Sequence, residues 1–427
     1  MESVRVVQAI ARLNIGGAAS HVVLLSAGMR ARYPCVLATG KKSPHEGDMT
    51  PFAHEHGVTL TRVPGLTRTI GLIGDLRAFW FLWRLCRRLK PDVVHTHTAK
   101  AGTLGRLAAW LAGVPVRVHT FHGHVFRKNF PGWRTAIYIA IERLLARITS
   151  RIIAISPRQS EDLRRILRVP DERLATIPLG YDLRAFSATG REEQATAGRQ
   201  RFRAAVEAAE QDTVITMVGR LTAIKNQALA LRAFATLARD GLHSPLLVLV
   251  GGGEDESSLR ALARALGIAD RVRFAGWWTG DNLPAVYHGS EIIALSSRNE
   301  GTPVCLLEAV ACGRAVVATD VGGVADVLED GRLGVMVPPE SVAHFAAALR
   351  RVLNPVERER FERADRSSLI ARYGLERMVA DVSALYDALI SQNSADGTTN
   401  MIHSVHSVLS GWNSPDNANA PSRKMAL

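Results

Sequence analysis

The sequence predicts an α/β protein made of two consecutive doubly wound units, each a parallel sheet flanked by helices, facing each other across a cleft. Three observations carry this. Short β-rich runs alternate with helical patterns, as βαβ units require. The alternation halts at a turn-rich stretch near residue 180, crosses a polar, Ala-rich segment, and then begins again. A length of 427 residues leaves room for two or three domains with large cores.

In the first half, VRVVQAI (4–10), YPCVLAT (33–39), DVVHTHT (92–98), VRVHTF (116–121) and RIIAIS (151–156) read as strands. Helical patterns over 21–30, 75–90, 101–112 and 134–149 lie between them. IPLGYDLRAF (177–186) closes this half, so the first unit is taken as 1–186 and the polar stretch 187–208 as a connector. The second unit, 209–370, has strand candidates at 213–219, 245–253, 271–277, 291–297, 314–320 and 333–339. Helices are expected at 226–239, 255–266, 302–312 and 340–353. The segment 391–427, rich in Ser, Asn, Gly and Pro, is expected to be disordered.

Apolar residues at 47% and charged residues at 22% fall in the globular range and argue against a disordered or fibrous chain. No uncharged apolar run approaches the roughly 18 residues of a membrane-spanning helix. The N-terminal stretch MESVRVVQAIARLNIGG lacks the pattern of a signal peptide. Cys35, Cys86, Cys305 and Cys312 form no CxxC pair, and a reduced, cytoplasmic setting is the simplest reading. The net charge of +13 is unevenly placed. Residues 1–185 hold 28 Lys/Arg against 12 Asp/Glu, a balance of +16, and the remainder carries −3. Such asymmetry points to an anionic partner for the first half. No motif that reads DNA or RNA accompanies it, so nucleic acid is not the expected partner.

Four segments carry candidate chemistry. In SSRNEGTPVCLLEAVACGRAVVATDVGG (296–323), Glu300 and Glu308 bracket a Gly301-Thr302-Pro303 turn into a helix that ends at Gly313. Backbone N–H groups would face a ligand between two carboxylates, which accept from sugar and ribose hydroxyls. A bare pair of Glu is ordinarily two surface residues; the strand–Ser–Glu–Gly context is what singles these out. In MVGRLTAIKN (217–226), Arg220 and Lys225 stand between a strand end and a helix start, where a diphosphate is held well. In LNIGGAASH (13–21), Gly16 and Gly17 allow close approach to a phosphate, although this is not a dinucleotide fingerprint.

In VHTFHGHVF (118–126), His122 beside Gly123 is the histidine expected at the cleft mouth. His95, His119 and His124 read as hydrogen-bonded strand-end residues. No Cys or acidic ligand accompanies these histidines, and their spacing fits no zinc signature, so no metal is expected.

LRAFWFLWRLCRRLK (76–90) mixes five cations with four aromatics and no acid. It suits an anionic membrane surface and equally a helix burying its aromatics in the core. FRKNFPGWR (126–134), with Arg127, Lys128 and Arg134 beside Phe126, Phe130 and Trp133, leans toward a membrane or a lipid-linked acceptor.

Together these segments resemble the family 4 glycosyltransferases, retaining enzymes of GT-B architecture, over nearly all of residues 1–390. VGRLTAIKN, LVGGGEDESSLRALARALGIADRVRFAG, the Glu300–Glu308 segment and VVATDVGGVADVLEDGRLGVMVPP carry the most specific match. DVVHTHTAKAGTLGRLAAWLAGVPVRVHTFHGHVF is similar to the branch that builds bacterial surface polysaccharides. The resemblance implies a nucleoside diphosphate sugar donor in the second domain. Arg220 and Lys225 would bind its diphosphate, Glu308 its ribose, and Glu300 the transferred sugar, helped by backbone amides around Gly301, Thr302, Pro303 and Val304. Gly16 and Gly17 would approach the phosphates from the first domain, and His122 would lie beside the donor sugar. The catalytic set would be His122, Glu300, Arg220 and Lys225. Residues 371–390 would form a helix returning to the first domain. Such enzymes are generally independent of metals and need no cofactor. The acceptor would be lipid-linked or a growing polysaccharide, and the enzyme cytoplasmic or peripheral on the inner face of the membrane. The sequence departs from the family at Leu179, where Asn is common. The alternatives are a sugar-nucleotide epimerase of the same architecture and a catalytically silent membrane-associated binding protein.

Overall fold

The computed structural model describes residues 5–42, 47–67, 69–123, 132–187, 190–239 and 245–395. The first sheet holds β1 (Val6–Ile10), β2 (Cys35–Thr39), β3 (Thr59–Arg62), β4 (Val93–His97), β5 (Val116–Phe121), β6 (Arg151–Ala154) and β7 (Leu174–Thr176), in the order 3-2-1-4-5-6-7. The second holds β8 (Thr213–Val218), β9 (Pro245–Val250), β10 (Val272–Gly276), β11 (Ile292–Leu295), β12 (Ala315–Thr319) and β13 (Val335–Val337), in the order 10-9-8-11-12-13. All the pairings are parallel; Val6 stands opposite both Cys35 and Val93, and Ile292 opposite Ile215 and Ala315. Central strands such as β1, β9 and β12 are buried along their whole length, which is why they read as unbroken apolar runs.

Two strands are absent from the sequence-based expectation. β3 (TLTR) and β7 (LAT) are the outer strands of the first sheet, short and partly solvated, so neither has an apolar run. The stretch expected to be a connector contains the helix Glu192–Ala205, which inserts a fully buried Phe202 edge-on against Trp278. Only a narrow stripe of this helix is buried, so its sequence looks polar.

The helix expected at 371–390 is two helices, Ser367–Tyr373 and Leu375–Ala395. They break at Gly374 because Tyr181 reaches in from the first domain, donating its N–H to Tyr373 O (2.9 Å) and accepting from Leu375 N (3.1 Å). The longer helix adds Met378, Val382, Tyr386 and Leu389 to the core under the first sheet. It continues to Ala395; the rest of 391–427, and Phe126, Arg127, Lys128, Phe130 and His124, lie outside the described residues, as do the side chains of Trp133 and Arg134. One buried cluster crosses from Leu24 and Ile155 of the first domain to Tyr287, Leu306 and Leu307 of the second. Among the described residues no helix is long and apolar enough to cross a membrane.

Candidate active site

Each sheet reverses its strand order once, between β1 and β4 and between β8 and β11. Ligands of such sheets sit beyond the carboxyl ends of the strands at that reversal. The segments following these four strands hold Gly16 and Gly17, Thr98, Arg220 and Lys225, and Glu300. Thr98, which the sequence does not single out, takes a left-handed φ of 65° there, a strained conformation typical of ligand-facing turns.

The two reversal points meet. The Tyr181 hydroxyl donates to Gly17 O (3.1 Å), and a methyl at Gly17 would lie 2.9 Å from Val304 Cγ2. A methyl at Gly301 would lie 2.4 Å from the carbonyl oxygen of His122. Arg158 of the first domain reaches Gly322 O at 3.4 Å. Gly16 caps the helix Gly17–Met29, its carbonyl accepting from Ala19 N and Ser20 N at 3.1 Å.

On the second domain, Lys225 Nζ donates to Glu300 Oε1 at 2.6 Å, and Ser297 Oγ donates to the same oxygen at 2.6 Å. Burial works against the Lys225 charge, but the Glu300 carboxylate outweighs it and lifts the ammonium above its ordinary range. An ammonium has three donors, so two remain for a ligand. Arg220 is half-buried beside Lys225, its carbonyl held by Gln227 Nε2 at 2.9 Å; among the described residues its guanidinium has no carboxylate partner. Pro303 is the N-cap of the helix Val304–Ala311 rather than part of its first turn, and it has no N–H. Of the four residues expected to present amides, only Gly301, Thr302 and Val304 therefore have one to offer. Glu308 lies in the second turn and accepts from the Tyr287 hydroxyl. Burial raises its carboxyl to about 7, against the pull of that hydrogen bond.

Gly322 holds this edge in place. Its φ is 57°, and a Cβ there would fall 1.8 Å from the Glu300 carbonyl oxygen, while Gly323 N donates to Gly301 O at 2.8 Å. Gly322→Ala is expected to destabilise the protein by more than about 1 kcal/mol and to weaken nucleotide-sugar binding. Urea unfolding and calorimetric titration check both; an unchanged midpoint with unchanged binding would contradict it.

On the first domain, His122 is half-buried. Its Nε2 lies 3.0 Å from His97 Nδ1, and its Nδ1 is buried with no hydrogen-bond partner among the described residues. Burial holds it down to about 4, so it is a neutral imidazole. His95 and His119 are the strand-end residues the sequence suggests. His95 bonds Tyr386 (2.6 Å) and Thr120 (2.7 Å), and His119 bonds Thr96 (2.8 Å). Sequence reasoning misses His97, Ser297 and Tyr287 as neighbours of the site. Ser297 is within the SSRNEG turn and could be found there; nothing local marks Tyr287.

Two doubly wound domains with opposed reversal points form the GT-B architecture. Residues 16–180 match the family described as glycosyl transferase 4-like domain, and residues 198–367 match glycosyl transferases group 1. A D-inositol 3-phosphate glycosyltransferase of Actinosynnema mirum is 33% identical over 80% of this chain and 87% of its own. A UDP-Gal:alpha-D-GlcNAc-diphosphoundecaprenol alpha-1,3-galactosyltransferase of Escherichia coli is 29% identical over 76% of this chain and 82% of its own. Among solved structures, Anabaena HepE in complex with UDP-glucose superposes with a TM-score of 0.76 at 18% identity, over 90% of this chain and 99% of that one. The chain belongs to the family 4-type glycosyltransferases of GT-B fold. It is a glycosyltransferase with a nucleotide sugar as donor.

Proposed function

We propose that the enzyme moves a hexose or amino sugar, with retention, from a nucleoside diphosphate sugar to a lipid-linked acceptor in bacterial surface-polysaccharide synthesis. The single observation that carries the site assignment is the Lys225–Glu300 contact beside Arg220, across the cleft from His122. Lys225, Arg220 and the amides of Gly301, Thr302 and Val304 stabilise the charge that develops on the departing diphosphate. Gly16 and Gly17 close over the phosphates from the first domain. Glu308 accepts from the ribose, Glu300 from the sugar, and His122 lies beside the sugar. With no carboxylate nucleophile assigned, acceptor attack on the face that the diphosphate leaves gives retention. In this reading residues 1–186 with 371–390 serve the acceptor, and 209–370 hold the donor.

The acceptor class rests on the similarity to the E. coli lipid-diphosphate enzyme and on the helix Leu72–Leu89. Its inner face (Ala78, Leu82, Leu85, Cys86) is buried, with Phe79, Phe81 and Trp83 partly buried against the same core. Its outer face leaves Leu72 and Ile73 at 85% exposure and Trp80 at 48%, together with Arg77, Arg84, Arg87 and Arg88 in solvent. This combination suits the anionic inner face of a membrane, where a lipid-linked acceptor is found. Replacing Arg77 and Arg84 by Glu, with Trp80→Ser, is expected to cut binding to anionic vesicles by at least about 30-fold, the loss of the two cations alone at about 1 kcal/mol each. Unchanged co-sedimentation would count against this surface.

The reaction is tested by incubating the enzyme with UDP-galactose or UDP-glucose and a diphosphate-linked lipid sugar, then reading the anomeric configuration by NMR. An α-linked product supports the proposal, and a β-linked product overturns retention. Epimerisation of the donor sugar without acceptor would favour the epimerase.

A further inference from the structure

His122 belongs to a cluster of three histidines, two of which, His21 and His97, have no role in the sugar transfer described above. His21, on the inner side of the helix Gly17–Met29, is 3% exposed, and neither ring nitrogen has a hydrogen-bond partner among the described residues. His97, at the end of β4, is fully buried. His122 follows β5 and is half-buried at the cleft. Ring centroids are 4.9 Å apart for His21 and His122, 5.2 Å for His97 and His122, and 5.8 Å for His21 and His97. One nitrogen from each ring falls within 4.8 Å of the others. Three elements thus bring imidazoles together, and among the described residues three of the six ring nitrogens, both of His21 and Nδ1 of His122, have no hydrogen-bond partner.

The hydrogen bonds around the cluster fix which nitrogen is available. Among the described residues, the acceptor facing His97 Nε2 is the side-chain carbonyl of Gln8, at 3.1 Å, so Nε2 carries the proton and the Nδ1 lone pair faces His122 Nε2 at 3.0 Å, a contact that an ion between the two nitrogens would replace. A ligating histidine is ordinarily held by such a bond to its far nitrogen. No other described group claims His122 Nδ1 or either nitrogen of His21.

We propose that His21, His97 and His122 form a binding site for a borderline transition-metal dication, zinc above all. Three imidazoles without carboxylate or thiolate select zinc, cobalt, nickel or copper over magnesium or calcium. Three protein ligands leave a fourth position, open on the His122 side toward the cleft. The ion ties the helix Gly17–Met29 to the ends of β4 and β5, directly behind the point where Gly17 meets Val304 and Gly301 meets the His122 carbonyl. The sequence conceals the site because its third ligand comes from a helix some 75 residues before His97. The site shares His122 with the donor site proposed above, but its geometry does not depend on which donor, acceptor or mechanism is correct.

The test uses the full chain without a histidine tag. It is stripped with a chelator and titrated with Zn²⁺ and, separately, with Co²⁺. One tightly held equivalent of zinc, a zinc-dependent rise in melting temperature and the intense visible bands of four-coordinate cobalt are expected. His21→Gln combined with His97→Gln should abolish all three, with circular dichroism checking that the chain still folds. Equal zinc uptake by wild type and the double variant would overturn the site. If the variant does not fold, the wild-type cobalt spectrum decides alone: weak, six-coordinate bands or none would overturn the proposal.

Discussion

Lys225→Ala is expected to lower kcat/KM for sugar transfer by at least about 10²- to 10³-fold, the scale of losing one aimed donor to developing charge. The side chain stands where β8 hands over to the helix Gln227–Arg239, and its ammonium is fixed by Glu300 at 2.6 Å. Lys225→Arg should restore little, because a planar fork does not replace a compact point charge in that space. Stability will fall too: the Glu300 side chain is only 10% exposed and would keep the Ser297 hydroxyl, at 2.6 Å, but no cation in contact. Placing Lys225→Ala in a Glu300→Gln background separates the effects. The stability loss should shrink there, whereas transfer should stay lost. Steady-state kinetics with a UDP-sugar, beside urea midpoints for the four proteins, make the comparison. Turnover within about threefold of wild type, small against the expected loss, would remove Lys225 from the site.

What is legible in the sequence has a common physical origin. Buried parallel strands must be apolar throughout, so their ends are sharp, and the residues just beyond (IGG, VGR, SSRNEG) fall at the ligand-facing edge whatever the details of packing. Strand ends alone therefore put Gly16, Gly17, Arg220, Lys225 and Glu300 at the reversal points. The contacts that shape the site's chemistry are less visible because they join distant segments. His97 meets His122 only because β4 and β5 pair with His97 opposite Thr120. Tyr287 meets Glu308 because the helices Leu283–His288 and Val304–Ala311 pack side by side. Edge strands β3 and β7 and the helix Glu192–Ala205 are hidden for the opposite reason: they bury too little for periodicity to show. The excess positive charge is a true but blunt signal. Arg106, one of its contributors, is fully buried against Glu142 at 2.7 Å, whereas Arg77 and Arg84 stand in solvent.

Glu308→Gln is expected to make the protein more stable above neutral pH while weakening its hold on the donor. The carboxyl is half-buried and is raised to about 7 by that burial, far above an unfolded-chain value near 4.3. Ionising it therefore costs the folded state more than the unfolded one. The cost is absent below the unfolded pKa, grows as pH rises from about 4.3, and is complete above about 7. The amide cannot ionise, and its oxygen still accepts from Tyr287. The variant should thus gain about 1–3 kcal/mol at pH 8, a range reduced for partial solvation, and little at pH 4.5. Binding runs the other way. The ionised carboxylate is the better acceptor for two ribose hydroxyls, and a charged hydrogen bond contributes about 1.5–3 kcal/mol. Affinity for UDP-glucose or UDP-galactose should then fall roughly 10- to 150-fold in the variant at pH 8. In the wild type it should weaken as pH drops through 7, and in the variant that dependence should disappear. A nucleotide sugar is the right probe because its diphosphate has no proton to lose in this range. Urea unfolding and calorimetric titration at pH 6 and 8 read both arms. A variant that is less stable at pH 8, or that binds the donor as tightly as wild type, would mean that the carboxylate at 308 does not meet the ribose.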